Sequence, residues 1–275
     1  MSKTWPGSLI TKTPVTPAGP YEDDAAPGVW TLSEQAFWQK QGLWPIPGNV
    51  APIGLFGGGY TTVASNVVNK IIFTTFGNAT DFGDLSVARY NISACSSDTR
   101  GIFAGGQTSG GAGGESNVID YMTFSTTGNA IDFGDLTNSR FGLSGSSNYV
   151  RGVFGGGRGT TTNAVNIIDY ITIASTGNAI DFGDLTEPRY SLGSVSSSTR
   201  SVWGGGYSNN LGTEVNIIDY ITTASTGNAL DFGDLSGSRF GLAGCGSETR
   251  GIFGGGNAPT YTKSMVYITI ASTGN

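Results

Sequence analysis

Asp181, Phe182, Gly183 and Asp184 set two carboxylates around an aromatic ring and a glycine. Carboxylate oxygens in a tight glycine loop are what a magnesium or calcium ion takes as ligands. The same four residues also stand at 81–84, 132–135 and 231–234, each time followed by Leu. A catalytic loop is needed once per active site, whereas a structural corner is needed once per structural unit. Steps of 51, 49 and 50 residues therefore mark a unit. In that reading Phe packs between units, Gly turns the chain, and the Asp pair caps backbone N–H groups or meets Arg. Weak calcium binding is the competing reading.

Other chemistries lack their residues. The 275-residue chain has no histidine, which removes His-based triads, His-ligated metals and His pH switches. A His-Arg-Asp loop and a Val-Ala-Ile-Lys strand are both missing, so the Asp-Phe-Gly tripeptide has no phosphoryl-transfer companions. No Gly-Lys dipeptide occurs, so the Gly-rich "FGGG" runs are not phosphate loops. No catalytic, cofactor-binding or metal residue is assigned, and the chain reads as a non-enzyme. A net charge of −6 leaves no basic footprint for nucleic acid or an anionic membrane. The opening "MSKTWPGSLI" predicts no signal peptide, and the apolar runs are too short for membrane insertion.

Charge follows the period. Arginines recur at Arg89, Arg140, Arg189, Arg239 and at Arg100, Arg151, Arg200, Arg250. Aspartates recur in the "DFGD" pairs and at Asp120, Asp169 and Asp219. Charges locked to a structural period predict inter-strand or inter-blade pairs, with a phosphate-binding ring of arginines as the alternative. Cys95 and Cys245 occupy equivalent positions, where the other units carry Ser146 and Val195. A slot that takes Cys, Ser or Val predicts two free, packed thiols.

These residues must be positioned by short strands. One unit reads as "RYSLGSVSS" (189–197), "RSVWGGG" (200–206), "NIIDYITTAS" (216–225) and "NALDFGDL" (228–235), with a Thr-Gly-Asn turn between the last two. In "NIIDYITIAS" apolar residues fall on both strand faces, so the strand is sandwiched between layers. Four short strands per unit and no helical periodicity predict an all-β chain, a propeller of about five four-stranded blades. The Gly doublets would let backbones approach near the central channel.

Gly-Gly at a strand end, a variable loop, a strand ending near Asp-Tyr, a turn, an aromatic strand and then Arg together resemble the kelch repeat. The Gly doublets begin at Gly58, Gly105, Gly156, Gly205 and Gly255, and the tyrosines are Tyr121, Tyr170, Tyr220 and Tyr267, with Lys70 departing. Phe82, Phe133, Phe182 and Phe232 stand where kelch repeats usually carry Trp. The resemblance spans 53–275 and implies a kelch-like β-propeller. Residues 28–45 ("GVWTLSEQAFWQKQGLWP"), followed by the Gly-rich repeats, look like virion proteins of tailed bacteriophages. That resemblance implies a structural tail-fibre, whisker or other appendage protein, placed in the virion and serving assembly and host attachment. The alternative is a free carbohydrate-binding, lectin-like propeller.

Partners follow from the variable parts. Loops after the Gly runs change in length and content, and Tyr60, Gln107, Arg158, Tyr207, Asn209, Asn210 and Tyr261 are candidate contacts for a host glycan or protein. Residues 1–52 form the second domain, a proline-rich extended arm with one short helix begun by Thr31 and Glu34. Trp30, Phe37, Trp38 and Trp44 are its candidate contacts to other virion proteins or to a second copy in a homo-oligomer. The first and last units each carry three of the four segments. Either "GVWTL" (28–32) folds back as a missing outer strand or the chain continues past Asn275 into further units, and the strand count favours continuation.

Overall fold

Strands that are apolar on both faces need a layer on each side, and successive repeats supply those layers to one another. The computed structural model describes residues 53–109, 113–161 and 163–274, together with Glu34 and Phe37. Five small antiparallel sheets are arranged in a ring, a five-bladed β-propeller. Blade II holds, from the centre outward, Ser93–Ser96, Arg100–Ala104, Val118–Thr123 and Ile131–Asp135. Blade III holds Ser144–Ser147, Arg151–Gly155, Ile167–Thr172 and Ile180–Asp184 in the same order. Blade IV holds Gly193–Ser196, Arg200–Gly204, Ile217–Thr222 and Leu230–Asp234.

The expectation of four strands per blade holds for these three. Blade I has three strands, Ile53–Gly57, Val67–Ile72 and Thr80–Asp84, and among the described residues lacks the inner one. Blade V has Ala243–Gly246, Arg250–Gly254 and Met265–Thr269, and among the described residues lacks the outer one. The segment "GVWTL", as well as Trp30, Trp38 and Trp44, lies outside the described residues.

The chain falls into two compact units. One comprises Leu55–Asn69, Asp81–Thr123 and Thr127–Asn275; the other comprises Met1–Gly54, Lys70–Thr80 and Phe124–Thr126. In the latter, Glu34 and Phe37 are helical, Phe37 is about half exposed, and Gly54 packs against Phe73 and Ile71.

The core of the larger unit lies between blades. Ile102, Ile119 and Phe133 of blade II join Phe154, Ile171 and Ile173 of blade III in one buried cluster. Ile168 and Phe182 of blade III join Trp203 and Ile221 of blade IV, and Val202 and Phe232 of blade IV join Phe253 and Ile268 of blade V. The phenylalanines of "DFGD" are thus interblade packing residues, each 1–3% exposed.

The glycine of that motif has a role other than turning the chain. A Cβ at Gly183 would lie 2.4 Å from the carbonyl oxygen of Gly227, in the Thr-Gly-Asn turn of the next blade. That turn docks on the outer strand: the Gly227 N–H donates to the Phe182 carbonyl at 2.8 Å, and the Asp184 N–H donates to Asn228 Oδ1 at 3.1 Å. Only a residue without a side chain permits this approach. The same docking joins blades I and II through Gly83 and Gly128, and blades II and III through Gly134 and Gly177.

Interblade pairing of charge is also present, with the aspartates of the third strands as partners. Arg89 Nη2 lies 2.6 Å from Asp120 Oδ2, Arg140 Nη2 3.0 Å from Asp169 Oδ2, and Arg189 Nη2 3.1 Å from Asp219 Oδ2, with all six side chains sealed from solvent. Each arginine sits in the connector entering a blade, so each pair latches that connector to the blade's third strand. The connector hydroxyl completes the latch: Thr137 and Thr186 each donate Oγ1 to the same aspartate at 2.6 Å, as Ser86 does through Oγ. Burial lowers the pKa of all three guanidiniums from the ordinary arginine value, and the facing carboxylate opposes that shift.

Arg100, Arg151 and Arg200 have a different partner. Their guanidiniums stack over Tyr121, Tyr170 and Tyr220 at 4.5, 4.8 and 4.6 Å and donate to backbone carbonyls of the following blade. The Gly doublets lie at the connectors instead of the channel: a Cβ at Gly156 would meet the Arg189 carbonyl oxygen at 2.5 Å.

The two thiols differ. Both are free, and Cys95 packs against the cluster between blades II and III, but Cys245 is exposed. The expectation of packing fails at Cys245 because this slot is covered by the following blade. Val195 is 3% exposed with its Cγ2 2.5 Å from where a Gly251 Cβ would sit, and no such neighbour faces Cys245 among the described residues.

Candidate aromatic rim at the connector end

Antiparallel order places two kinds of loop at the same end of each blade. These are the loop from second to third strand, which follows the Gly doublet, and the connector to the next blade. Residues of both kinds pair there. Tyr190 pairs with Tyr207, Tyr90 with Gln107, and Phe240 with Asn257 through backbone bridges, while Arg140–Phe141 and Arg158–Gly159 form a two-stranded sheet.

Each connector aromatic directly follows a buried arginine. Arg140 and Arg189 are 0% exposed, so alternation along an extended chain turns Phe141 and Tyr190 the other way, toward solvent. The result is a continuous stripe of partly exposed rings across blades III to V. Phe141 and Tyr190 have centroids 6.4 Å apart, Tyr190 and Tyr207 5.7 Å, and Tyr207 and Phe240 5.9 Å. The Arg158 guanidinium carbon lies 5.9 Å from the Phe141 ring and 5.6 Å from the Tyr190 ring. Tyr60 and Tyr90 form a second patch, with centroids 4.9 Å apart.

Among the residues singled out from sequence, Arg158 and Tyr207 lie within the stripe and Tyr60 in the second patch. Gln107 is buried at 7% exposure, its strand position consumed by the bridge to Tyr90. Asn209 Oδ1 accepts from the Ala164 N–H at 2.9 Å and so ties two loops together. Asn210 is exposed, and Tyr261 stands at 90% exposure outside the stripe. Tyr90, Phe141, Tyr190 and Phe240 complete the rim without having been singled out. Their signal in the sequence is the invariable aromatic after each connector arginine, which reads equally well as a core strand residue.

Rings presented at 5.7–6.4 Å spacing, one guanidinium stacked on two of them, and hydroxyls at Tyr190 and Tyr207 suit a ligand with apolar faces and polar edges. Sugars and aromatic or prolyl peptides have that character. Glu187 accepts from Ser208 Oγ at 2.6 Å beside the stripe, which occupies its carboxylate in fixing the loop. The "DFGD" aspartates stand on outer strands and do not enter the rim. Among the described residues no group of three acidic or sulfur side chains is placed to hold a metal ion.

The fold is a β-propeller, and partly exposed aromatic rings line its connector end. No protein-family model and no curated protein matches the chain.

Proposed function

We propose that this chain is a structural component of a bacteriophage virion, a surface appendage whose propeller attaches to host-surface carbohydrate or protein through the aromatic rim. The observation that carries the binding part is the unbroken run Phe141, Arg158, Tyr190, Tyr207 and Phe240, its rings partly exposed along the connector end of blades III to V. Propellers host many activities, so the rim and not the fold supports this reading. The virion part rests on the likeness of residues 28–45 and the repeats to phage appendage proteins. In this reading residues 1–52 contact other virion proteins, and no catalysis is assigned.

Two measurements separate the parts. Antibody raised against the chain should decorate intact particles in electron micrographs, and a chain found only free in solution overturns the virion reading. Binding to host-surface glycans should fall at least about tenfold when Tyr190 and Tyr207 are both changed to Ala, since aromatic anchors dominate such contacts. Undiminished binding by that variant moves recognition away from the rim. Glycan binding without particle decoration would favour the free lectin-like reading.

A further inference from the structure

Consecutive blades meet through a knob and a hole on their second strands. The knob is an aromatic ring facing the preceding blade; the hole is the small residue just after the preceding blade's own knob. Phe103 Cε1 lies 2.9 Å from the position of a Cβ at Gly57, Trp203 Cε2 lies 2.8 Å from that at Gly155, and Phe253 Cε1 lies 3.2 Å from that at Gly204. Phe154 enters the same cluster as Ala104. These four knobs are 0–3% exposed.

The fifth knob and the fifth hole are both uncovered. Phe56 of blade I occupies the knob position and is 60% exposed. Among the described residues, a Cβ at Gly254 of blade V would touch only Met265, of its own sheet, at 3.3 Å. Around that hole Ile252 is 36% exposed, where Ile102, Val153 and Val202 are fully buried, and Met265 and Tyr267 are 75% and 65% exposed. Arg250 stacks over Tyr267 at 4.7 Å, as its counterparts do on their tyrosines, yet among the described residues no following blade receives its donors, and it is itself exposed. One chain therefore carries both halves of the contact that it repeats four times internally.

We infer that these two faces close on each other between copies of this chain, with Phe56 of one copy seated over Gly254 of the next. The occupant follows from the faces themselves. The surface that fits the blade V hole is the one that blade I carries, and this chain's own Phe56 and own Gly254 stay uncovered together. Such a contact is heterologous, joining different patches on the two partners, so it repeats from copy to copy and gives a ring or a filament. Its core is apolar, with Phe56 against Ile252, Met265 and Tyr267, and the Arg250 guanidinium offers N–H donors to the incoming backbone, as Arg200 does to the Ile270 carbonyl at 2.8 Å. This inference stands independently of the proposed function.

The test replaces Phe56 with the photoreactive analogue p-benzoylphenylalanine, which keeps an aromatic knob. An equal mixture of ordinary and nitrogen-15-labelled full-length protein is irradiated, and cross-linked peptides are mapped by mass spectrometry. Isotopically mixed cross-links from position 56 to residues 250–267 are expected. In parallel, sedimentation should give a mass that rises with protein concentration, and Gly254→Phe, which fills the hole, should weaken this association at least about tenfold. The melting curve of that variant reports whether its blades remain folded, and Phe56→Ala supplies a second, smaller change on the other face. Cross-links confined to single chains, whether to blade V or to residues 1–52, overturn the inference. So does a mass that stays monomeric at every concentration, or association undiminished in both variants.

Discussion

Arg189 reaches from the connector behind blade III and places Nη2 3.1 Å from Oδ2 of Asp219 on the third strand of blade IV, with both side chains closed to solvent. Asp219 also accepts from Thr186 N–H and Oγ1, so one carboxylate holds three donors of a single connector. Deleting the carboxylate strands a buried cation, which costs about 3–5 kcal/mol. Asp219→Ala should lower the urea midpoint accordingly. The double variant Arg189→Met, Asp219→Leu should recover much of the loss, because two apolar groups strand no charge. A single-variant loss below about 1 kcal/mol, the range of exposed pairs, would show that the latch is not sealed in solution.

Blade V provides the complementary experiment. Val266 faces Phe253 there, in the register that Asp219 occupies opposite Trp203. Arg239, 3% exposed, makes do with the Ser264 and Gly237 carbonyls and Ser236 Oγ. Val266→Asp should restore the latch and raise stability by about 1 kcal/mol or more, the worth of a charge-assisted hydrogen bond. Thermal denaturation of the variant checks it, and a fall in melting temperature would show that this connector cannot reach the new carboxylate.

Gly183 and Gly227 share a positive φ, at 146° and 152°, but not an environment. A Cβ at Gly183 would enter the Gly227 peptide, whereas at Gly227 it would meet nothing within 4 Å. Gly227→Ala should therefore cost only the backbone strain, on the order of 1–3 kcal/mol. Gly183→Ala should cost clearly more, since it also separates the turn from the strand. Equal losses in urea denaturation would show that conformation alone, and not close approach, selects glycine in "DFGD".

The propeller fold and the interblade place of the "DFGD" phenylalanines were legible because repetition exposes them: a side chain fixed at a 50-residue step must serve the joint between units. The chemistry of each joint was less legible. "DFGD" and "IDY" offer three aspartates per unit, and only the third strand's faces the connector arginine, a choice made by register and not by composition. The rim was half hidden for a related reason. Tyr190 follows Arg189 in what reads as a buried strand, and the fact that the arginine is the buried member turns the ring outward. Burying an arginine is what a sequence pattern predicts least, because its cost is visible only beside its partner. The exposure of Cys245 follows from the uncovered face of blade V, which no local pattern around the cysteine encodes.

Glu248 gives a pH dependence confined to one loop. Its Oε2 accepts from the Ser198 N–H at 2.7 Å, and that hydrogen bond holds its pKa below the ordinary glutamate value of 4.5, with Tyr149 contributing less. A depressed carboxylate stabilises the fold above the unfolded-state pKa and loses that contribution as pH falls through the depressed value. The loop contact between blades IV and V should thus be intact at neutral pH and weaken only below about 4.5. Carbon-detected titration of the Glu248 carboxyl checks the direction, and Glu248→Gln should abolish the corresponding shift at Ser198. A midpoint at or above 4.5 would show that the contact does not persist in solution.

The two cysteines should differ in reactivity. Cys95 is partly buried as a residue, but its sulfur is tucked toward blade III, 2.6 Å from where a Gly152 Cβ would sit, and burial of that atom pushes its thiol up to about 12 from an ordinary 9.0. Cys245 occupies the same slot on the uncovered face of blade V and is exposed. Since the thiolate is the nucleophile, a disulfide reagent at pH 8 should find one fast thiol in the native chain and two after unfolding. Cys245→Ser should abolish the fast phase, and two equally fast native thiols would show that blade III does not cover Cys95. The raised value also sets a sign at alkaline pH. Below 9.0 both folded and unfolded Cys95 are protonated; between 9.0 and about 12 only the unfolded thiol ionises, so this contribution to stability is lost as pH rises. Cys95→Val places there the side chain that blade IV already carries as Val195, and it removes the titration. The urea midpoint of the wild type should fall relative to that of Cys95→Val as pH is raised from 8 to 11, and parallel midpoints across that range would refute a shielded thiol.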